Sequence, residues 1–259
     1  MAKIKFGPGG LGSIKDAIVN LYEYHRLGIN ACEVEFVYRV YINKEQAIEI
    51  GKTAKNLGIG LSVHCPYYIN LNSADFEKIE ASKKRILNCC EIGHYLGAKK
   101  IVFHSGFYGN RDYEETYANI HNAIVEIKKG IEKNKWDVEL CPEIMGKANV
   151  FGSIEDIQRL VVETGCSFCI DFAHILARYG ENKFNEVAKA FPQESWHCHF
   201  SGIVYGEKGE KNHIKTSEKE WEELLNFLKT LDKDVVIINE SPTPVEDSVM
   251  GKKVFGELD

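Results

Sequence analysis

Lys100-Ile101-Val102-Phe103-His104, a helical stretch near 113–133, then Val138-Glu139-Leu140-Cys141-Pro142-Glu143: this segment reads as strand, helix, strand, and each strand ends in a residue able to bind a metal. Parallel neighbours need a crossover of this length, usually a helix, so the segment predicts one βαβ unit. The same unit recurs in both directions. Strands are predicted at Lys3–Phe6, Ala31–Val37, Gly60–His64, Lys100–His104, Val138–Glu143, Ser167–Asp171, Trp196–Ser201 and Val235–Glu240. Helical patterns fall near 14–27, 44–57, 74–96, 113–133, 155–163, 183–190 and 218–231, with Ile79, Ile86, Leu87 and Cys90 as an example of the spacing. Ser13, Ser73 and Ser153 stand where N-caps belong. Val235-Val236-Ile237-Ile238 is apolar on both faces, as in a parallel sheet covered on both sides. A single α/β domain over residues 1–259, a (β/α)8 TIM barrel, is the expected architecture, with an open doubly wound sheet as the alternative. The tail after the eighth strand carries no clear helical pattern.

Composition sets the outer limits. The chain has 259 residues, 44% hydrophobic and 27% charged, and 32 Lys and Arg against 38 Asp and Glu give a net charge of −6. Disordered and collagen-like classes are excluded, and bulk electrostatics do not favour nucleic acid. There is no 18-residue apolar run, and Met-Ala-Lys-Ile-Lys-Phe-Gly-Pro-Gly-Gly is unlike a signal peptide. A cytoplasmic monomer with no membrane association is expected. The eight cysteines lie mostly in apolar runs and read as buried reduced thiols, Cys166-x-x-Cys169 included. Gly7-Pro8-Gly9-Gly10-Leu11-Gly12 matches the dinucleotide pattern G-x-G-x-x-G, with Glu33 and Glu35 downstream. Pro8, however, removes a backbone donor from a loop that should wrap phosphate, so this reading is set aside.

The strand ends carry the function. His64, His104, Glu143, Asp171, His199 and Glu240 close or nearly close six consecutive predicted strands, and a barrel opens all those ends onto one face. With 9 His and 38 Asp plus Glu in 259 residues, a fixed position carries one about 18% of the time. Agreement at six ends by chance is on the order of one in 100, allowing one residue of latitude at each. Three carboxylates at a narrow mouth repel unless cations offset them. Imidazoles beside carboxylates suit Zn²⁺ or Mn²⁺. Glu143 lies between the histidine strands and the Asp171 strand, which suits it to bridge two ions. His174 follows Asp171 by three residues, and His213 sits in a polar loop after strand seven, either as a ligand or simply exposed.

At these residues the chain resembles the endonuclease IV family of zinc-dependent apurinic/apyrimidinic endonucleases, within the xylose-isomerase-like barrels. The matching stretches are His64-Cys65-Pro66-Tyr67-Tyr68-Ile69-Asn70-Leu71, Val102-Phe103-His104-Ser105-Gly106, Glu143 to Gly152, Cys169-Ile170-Asp171-Phe172-Ala173-His174, His199-Phe200-Ser201 and Ile238-Asn239-Glu240-Ser241-Pro242. The resemblance implies hydrolysis of the phosphodiester 5′ to an abasic site in damaged DNA, with Glu143 and Glu240 in the catalytic centre. It implies one zinc on His64, His104 and Glu143, and a second on Glu143, Asp171, His199 and Glu240. A third would take His174, His213 and an Asp two residues before that histidine, where this chain has Lys211. Either Glu210 or Glu207 supplies the missing acid, or Lys211 fills the place as a fixed charge and meets phosphate. Tyr67 matches the family's tyrosine near the abasic nucleotide; Tyr68 adds a second ring, and both are equally compatible with a packed core. A sugar isomerase or epimerase of the same superfamily, with one or two metals on Glu143, Asp171, His199 and Glu240, is the rival reading. A non-catalytic binding module is a further alternative.

Overall fold

The structure, a computed structural model, describes residues 3–258, so Met1 and Ala2 of the leader reading and Asp259 lie outside it. In chain order the elements are β1 (Ile4–Pro8), α1 (Ala17–Arg26), β2 (Ala31–Glu35), α2 (Lys44–Asn56), β3 (Gly60–His64), α3 (Phe76–Leu96), β4 (Lys100–Phe103), α4 (Tyr113–Asn134), β5 (Glu139–Pro142) and α5 (Ile154–Thr164). They continue with β6 (Ile170–Asp171), α6 (Phe172–Tyr179), α7 (Phe184–Ala190), β7 (Ser195–Phe200), β8 (Gly202–Gly206), β9 (Gly209–Ile214), α8 (Glu218–Lys229), β10 (Asp234–Asn239) and α9 (Pro244–Glu257).

Two four-stranded parallel sheets, ordered β1-β10-β7-β6 and β2-β3-β4-β5, are joined at both edges by the bridges Gly9–Glu33 and Glu143–Cys169. The sheet therefore closes into a (β/α)8 barrel, and the open-sheet alternative falls. Side chains that alternate along each strand face out to the helices or in to the barrel axis. Phe6 packs outward, its ring 5.8 Å from Trp221 of α8 and 6.0 Å from Phe255 of α9. Trp196 packs outward on Phe227, which leaves its neighbour His197 facing in.

The structure corrects several local expectations. Ser13 caps no helix: its hydroxyl bonds Asp16, and α1 begins only at Ala17. The α3 cap is Asp75, while Ser73 accepts a hydrogen bond from the Asp75 N–H one turn earlier. Ser153 does cap α5, with Asp156 completing a capping box. Four elements escaped the sequence reading: α6, the two strands of the antiparallel β8–β9 hairpin, and α9, which begins on Pro244 and seals the barrel against β1. The Gly-rich segment is no phosphate loop, because Gly7 and Pro8 lie inside β1 and the next helix starts five residues after Gly12. All eight cysteines are free and buried.

Gly7 shows what the closure demands. A Cβ there would overlap the carbonyl of Ala31 on the adjoining strand. Gly7→Ala should therefore force the β1–β2 seam apart and cost about 2–3 kcal/mol. The expected result is a lower urea midpoint with an unchanged m-value.

Candidate metal centre

Strand geometry alone brings most of the named residues together. Among the described residues, three groups of ligand atoms gather at the mouth, each within 4.8 Å: His64, His104 and Glu143; Glu143, Asp171, His199 and Glu240; and His174, Glu210 and His213. Glu143 belongs to two of them. It follows β5 directly, is 1% exposed, and divides its oxygens between the two groups. Oε2 lies 3.2 Å from His64 Nε2 and 3.0 Å from His104 Nε2. Oε1 lies 3.1 Å from His174 Nδ1 and 3.5 Å from His199 Nδ1. Glu240 Oε1 stands 3.3 Å from His199 Nδ1.

The imidazoles are held from behind. His64 Nδ1 is 2.8 Å from the Cys65 carbonyl, His174 Nδ1 is 3.0 Å from the Ile144 carbonyl, and His213 Nδ1 is 2.7 Å from Ser201 Oγ. Such partners choose the tautomer and turn the other ring nitrogen toward the mouth. Asp171 acts twice. Its Oδ1 caps α6 by accepting from the His174 N–H at 2.8 Å, which sets His174 beside it, and its Oδ2 stays in the cluster.

The donor set fits a divalent cation. Glu143 Oε1, Asp171 Oδ2, His199 Nδ1 and Glu210 Oε2 are all buried and make no hydrogen bond, although neighbours lie only 3.0–3.5 Å away. Their lone pairs converge without donors in line. Ligands about 2.0–2.1 Å from one tetrahedral ion are spaced about 3.3 Å apart, which is the spacing seen.

Without a metal, protons must supply the opposing charge. Burial opposes charge on His64, yet the hydrogen bond and charge of Glu143 outweigh it and push the imidazole up to about 9. Burial likewise opposes charge on His174, but Asp171 and Glu143 drive it to about 10. Glu143 is held well below the carboxylate range because its histidines, His104 foremost, more than offset its burial. Burial leads in raising Asp171 to about 6.

The third group depends on an irregularity. The hairpin pairs Ile203 with His213 and Val204 with Asn212, then Tyr205 with Glu210, so Lys211 is an extra residue bulged out of the ladder. Residues three apart in a strand face opposite ways; one bulged residue restores the phase, and Glu210 joins His213 on the same side. Glu210 Oε2 is thereby 3.3 Å from His174 Nε2, and Lys147 braces the same carboxylate at 3.5 Å. Two expectations change accordingly. His213 lies on β9 rather than in a loop, and Lys211 is exposed beside Gly206, outside the cluster that Glu210 completes. Glu207 is not part of any of the three groups.

Tyr67 and Tyr68 are 54% and 61% exposed, which removes the packed-core alternative. Tyr67 leans over the mouth, its ring 5.9 Å from that of His64 and 5.6 Å from that of His104. Tyr68 stacks on the exposed Tyr38 at 6.1 Å. Three groups were missed as site residues: the buried Glu33 and His197, and the partly exposed Glu35. The signal was present in Glu33-Val34-Glu35 and His197-Cys198-His199, where charge or imidazole alternates with apolar residues inside a strand, and alternation puts both members on the barrel axis.

Two outcomes follow from this geometry. The raised values of His64 and His174 mean that their stabilising contribution is complete below pH 6.5 and lost as pH climbs through 9 and 10. Asp171, raised from 3.8 to about 6, acts in the same direction. Metal-free protein should melt at progressively lower temperature as pH rises across this window, and Zn²⁺ should abolish the decline by replacing the protons. Deleting Lys211 leaves the glutamate two residues before His213, where strict alternation keeps it facing the mouth, so the content of divalent metal by elemental analysis should not change, whereas Glu210→Gln should lose one equivalent with the barrel's unfolding midpoint unchanged.

Comparison with known proteins agrees with this architecture. The chain is 34% identical over 268 aligned positions to an uncharacterized protein of Methanocaldococcus jannaschii, covering 98% of this chain and 97% of that one. It is 30% identical over 118 positions to a probable endonuclease 4 of Metamycoplasma arthritidis, covering 44% of this chain and 41% of the relative, so it spans under half the length of that protein. The crystal structure of a D-tagatose 3-epimerase-like protein superposes with a TM-score of 0.77 at 18% identity, over 98% of this chain and 96% of the other. That likeness is one of fold. Residues 21–254, from the first helix to the last, match the family description throughout. The chain belongs to the xylose isomerase-like TIM barrel family.

Proposed function

We propose that this protein is a zinc-dependent phosphodiester hydrolase that cuts DNA 5′ to abasic sites. The observation that carries the reading is the pair of histidine-bearing groups, His64–His104–Glu143 and His174–Glu210–His213, on either side of the central set. A sugar epimerase requires only the central four residues. Two or three cations, when bound, would activate a water and draw charge from the phosphate oxygens in a displacement.

The chain's own residues have separable tasks. Glu143, with Oε2 facing His104 and Oε1 facing His199, would help hold a cation in each of the two groups it belongs to. Glu240 stands at the lip of a recess of about 160 Å³ lined by Gly9, Glu35, Tyr67, His213 and Ser241, where with Glu143, Asp171 and His199 it would help hold a cation facing that recess. Tyr67 covers the His64–His104 side and offers a ring face to a sugar that has lost its base. Tyr38 and Tyr68, stacked and exposed with Arg39 beside them in sequence, supply a surface for unpaired bases. Lys211, exposed on the hairpin, can meet a backbone phosphate and lessen the conflict between DNA and a chain of net charge −6.

One observation favours the epimerase. Glu35, at the end of β2, has a carboxyl that burial and the charge of Glu240 raise to about 7, and it lines the same recess. A carboxyl poised near neutrality suits proton transfer next to a carbonyl.

Purified protein with its metal counted should incise a defined abasic duplex, and Glu143→Gln should lower the rate on the order of 10³-fold or more while remaining folded. Zinc-loaded protein that leaves the duplex intact but epimerises a ketose would replace the nuclease reading.

A further inference from the structure

His64 leans on a main-chain carbonyl and His213 on a serine hydroxyl, while His174 Nδ1 is shared between the Ile144 carbonyl at 3.0 Å and Asp171 Oδ2 at 3.0 Å. His199 is reversed. Its Nδ1 lies 3.5 Å from Glu143 Oε1 and 3.3 Å from Glu240 Oε1, and its Nε2 lies 2.8 Å from Glu33 Oε1, an ion-pair separation that is off the line of a hydrogen bond. Glu33 is 0% exposed, as is His199. Its second oxygen, Oε2, accepts a hydrogen bond from His197 Nε2 at 3.0 Å, so the carboxylate is gripped between two imidazoles of β7 from across the barrel. Val102, Cys141 and Cys169 form a small buried apolar cluster, and Cys169 Sγ lies within 4.8 Å of ring nitrogens of both His197 and His199.

A buried carboxylate in a barrel core is costly unless it is paired. What Glu33 does supply is a carboxylate 2.8 Å from the Nε2 of a ring that is 0% exposed, with Cys169 also near that ring. We infer that Glu33 is a positioning residue for the metal centre: with His197 as its anchor, it holds the proton of His199 on Nε2 and so presents Nδ1 as a lone pair to the central Glu143–Asp171–His199–Glu240 group. Replacing the carboxylate frees the ring to turn or to carry its proton on Nδ1, and either change removes one ligand from the central site.

This inference rests on the metal-site reading and is tested separately from catalysis. Zinc affinity of wild type, Glu33→Gln and His197→Asn is measured by competition with a chromophoric chelator, and ring ¹⁵N shifts of His199 report its tautomer. Wild type should show the Nε2–H form. Glu33→Gln should lose about 10–100-fold in affinity for the central zinc, with a mixed tautomer. His197→Asn, which removes the anchor but not the carboxylate, should lose about 3–10-fold, and it decides the matter if Glu33→Gln does not fold. Wild-type affinity and an unchanged tautomer in the folded variants would overturn the role of Glu33 while leaving the metal centre standing. Failure of wild type to take up zinc would instead remove the metal centre itself, and this role with it.

Discussion

Everything at the mouth is arranged around one buried anion. Glu143 sits at 1% exposure with His64, His104, His174 and His199 each within 3.5 Å of its oxygens. A lone carboxylate in that position would be too costly to desolvate. Its neighbours therefore have to be positive, whether as imidazolium ions in the metal-free chain or as metal-bound rings. The barrel meets this demand cheaply, because parallel strands deliver side chains from many sequence distances to the same end of one axis.

The polar character runs deeper than the mouth. TIM-barrel interiors are commonly layered with branched apolar side chains. In this chain Glu33, His197 and His199 carry the polar network into the barrel, beside the small apolar cluster of Val102, Cys141 and Cys169. Opposite shifts accompany the arrangement: Glu33 is held low despite its burial by His199 and His197, while burial lowers His197. Around the rim, the β8–β9 hairpin supplies a ligand group that the eight barrel strands cannot. Its bulge at Lys211 lets a glutamate three residues before a histidine do what strict alternation would allow only at two. Shape alone does not choose between nuclease and epimerase, since a barrel at TM-score 0.77 carries an epimerase-like name. Side-chain count and kind at the mouth are what separate the two chemistries.

Much of this was legible without coordinates. The barrel, and the gathering of His64, His104, Glu143, Asp171, His199 and Glu240 at one end, follow from where strands stop, because every strand end in a parallel barrel opens on the same face. Boundaries moved by one to three residues, as at β1 and β6, where strand ends fray into loops. The first two caps were misplaced because serine, aspartate and their neighbours compete for the same turn, and the winner depends on the loop's path.

What tertiary structure alone decided has a common cause. Whether Glu210 or Lys211 faces the mouth depends on a pairing shift against the facing strand, which local sequence does not encode. The final helix exists because β1 and α8 leave an apolar seam for Val254 and Phe255 to cover, although its own pattern is weak. Glu33 and His197 could be seen to face inward from alternation, but that they meet each other across 164 residues is a property of closure. The chain by itself specifies its strands, their ends and the chemistry placed on them; register, bulge and cross-barrel contact are written only when distant segments pair, since those energies belong to no single segment.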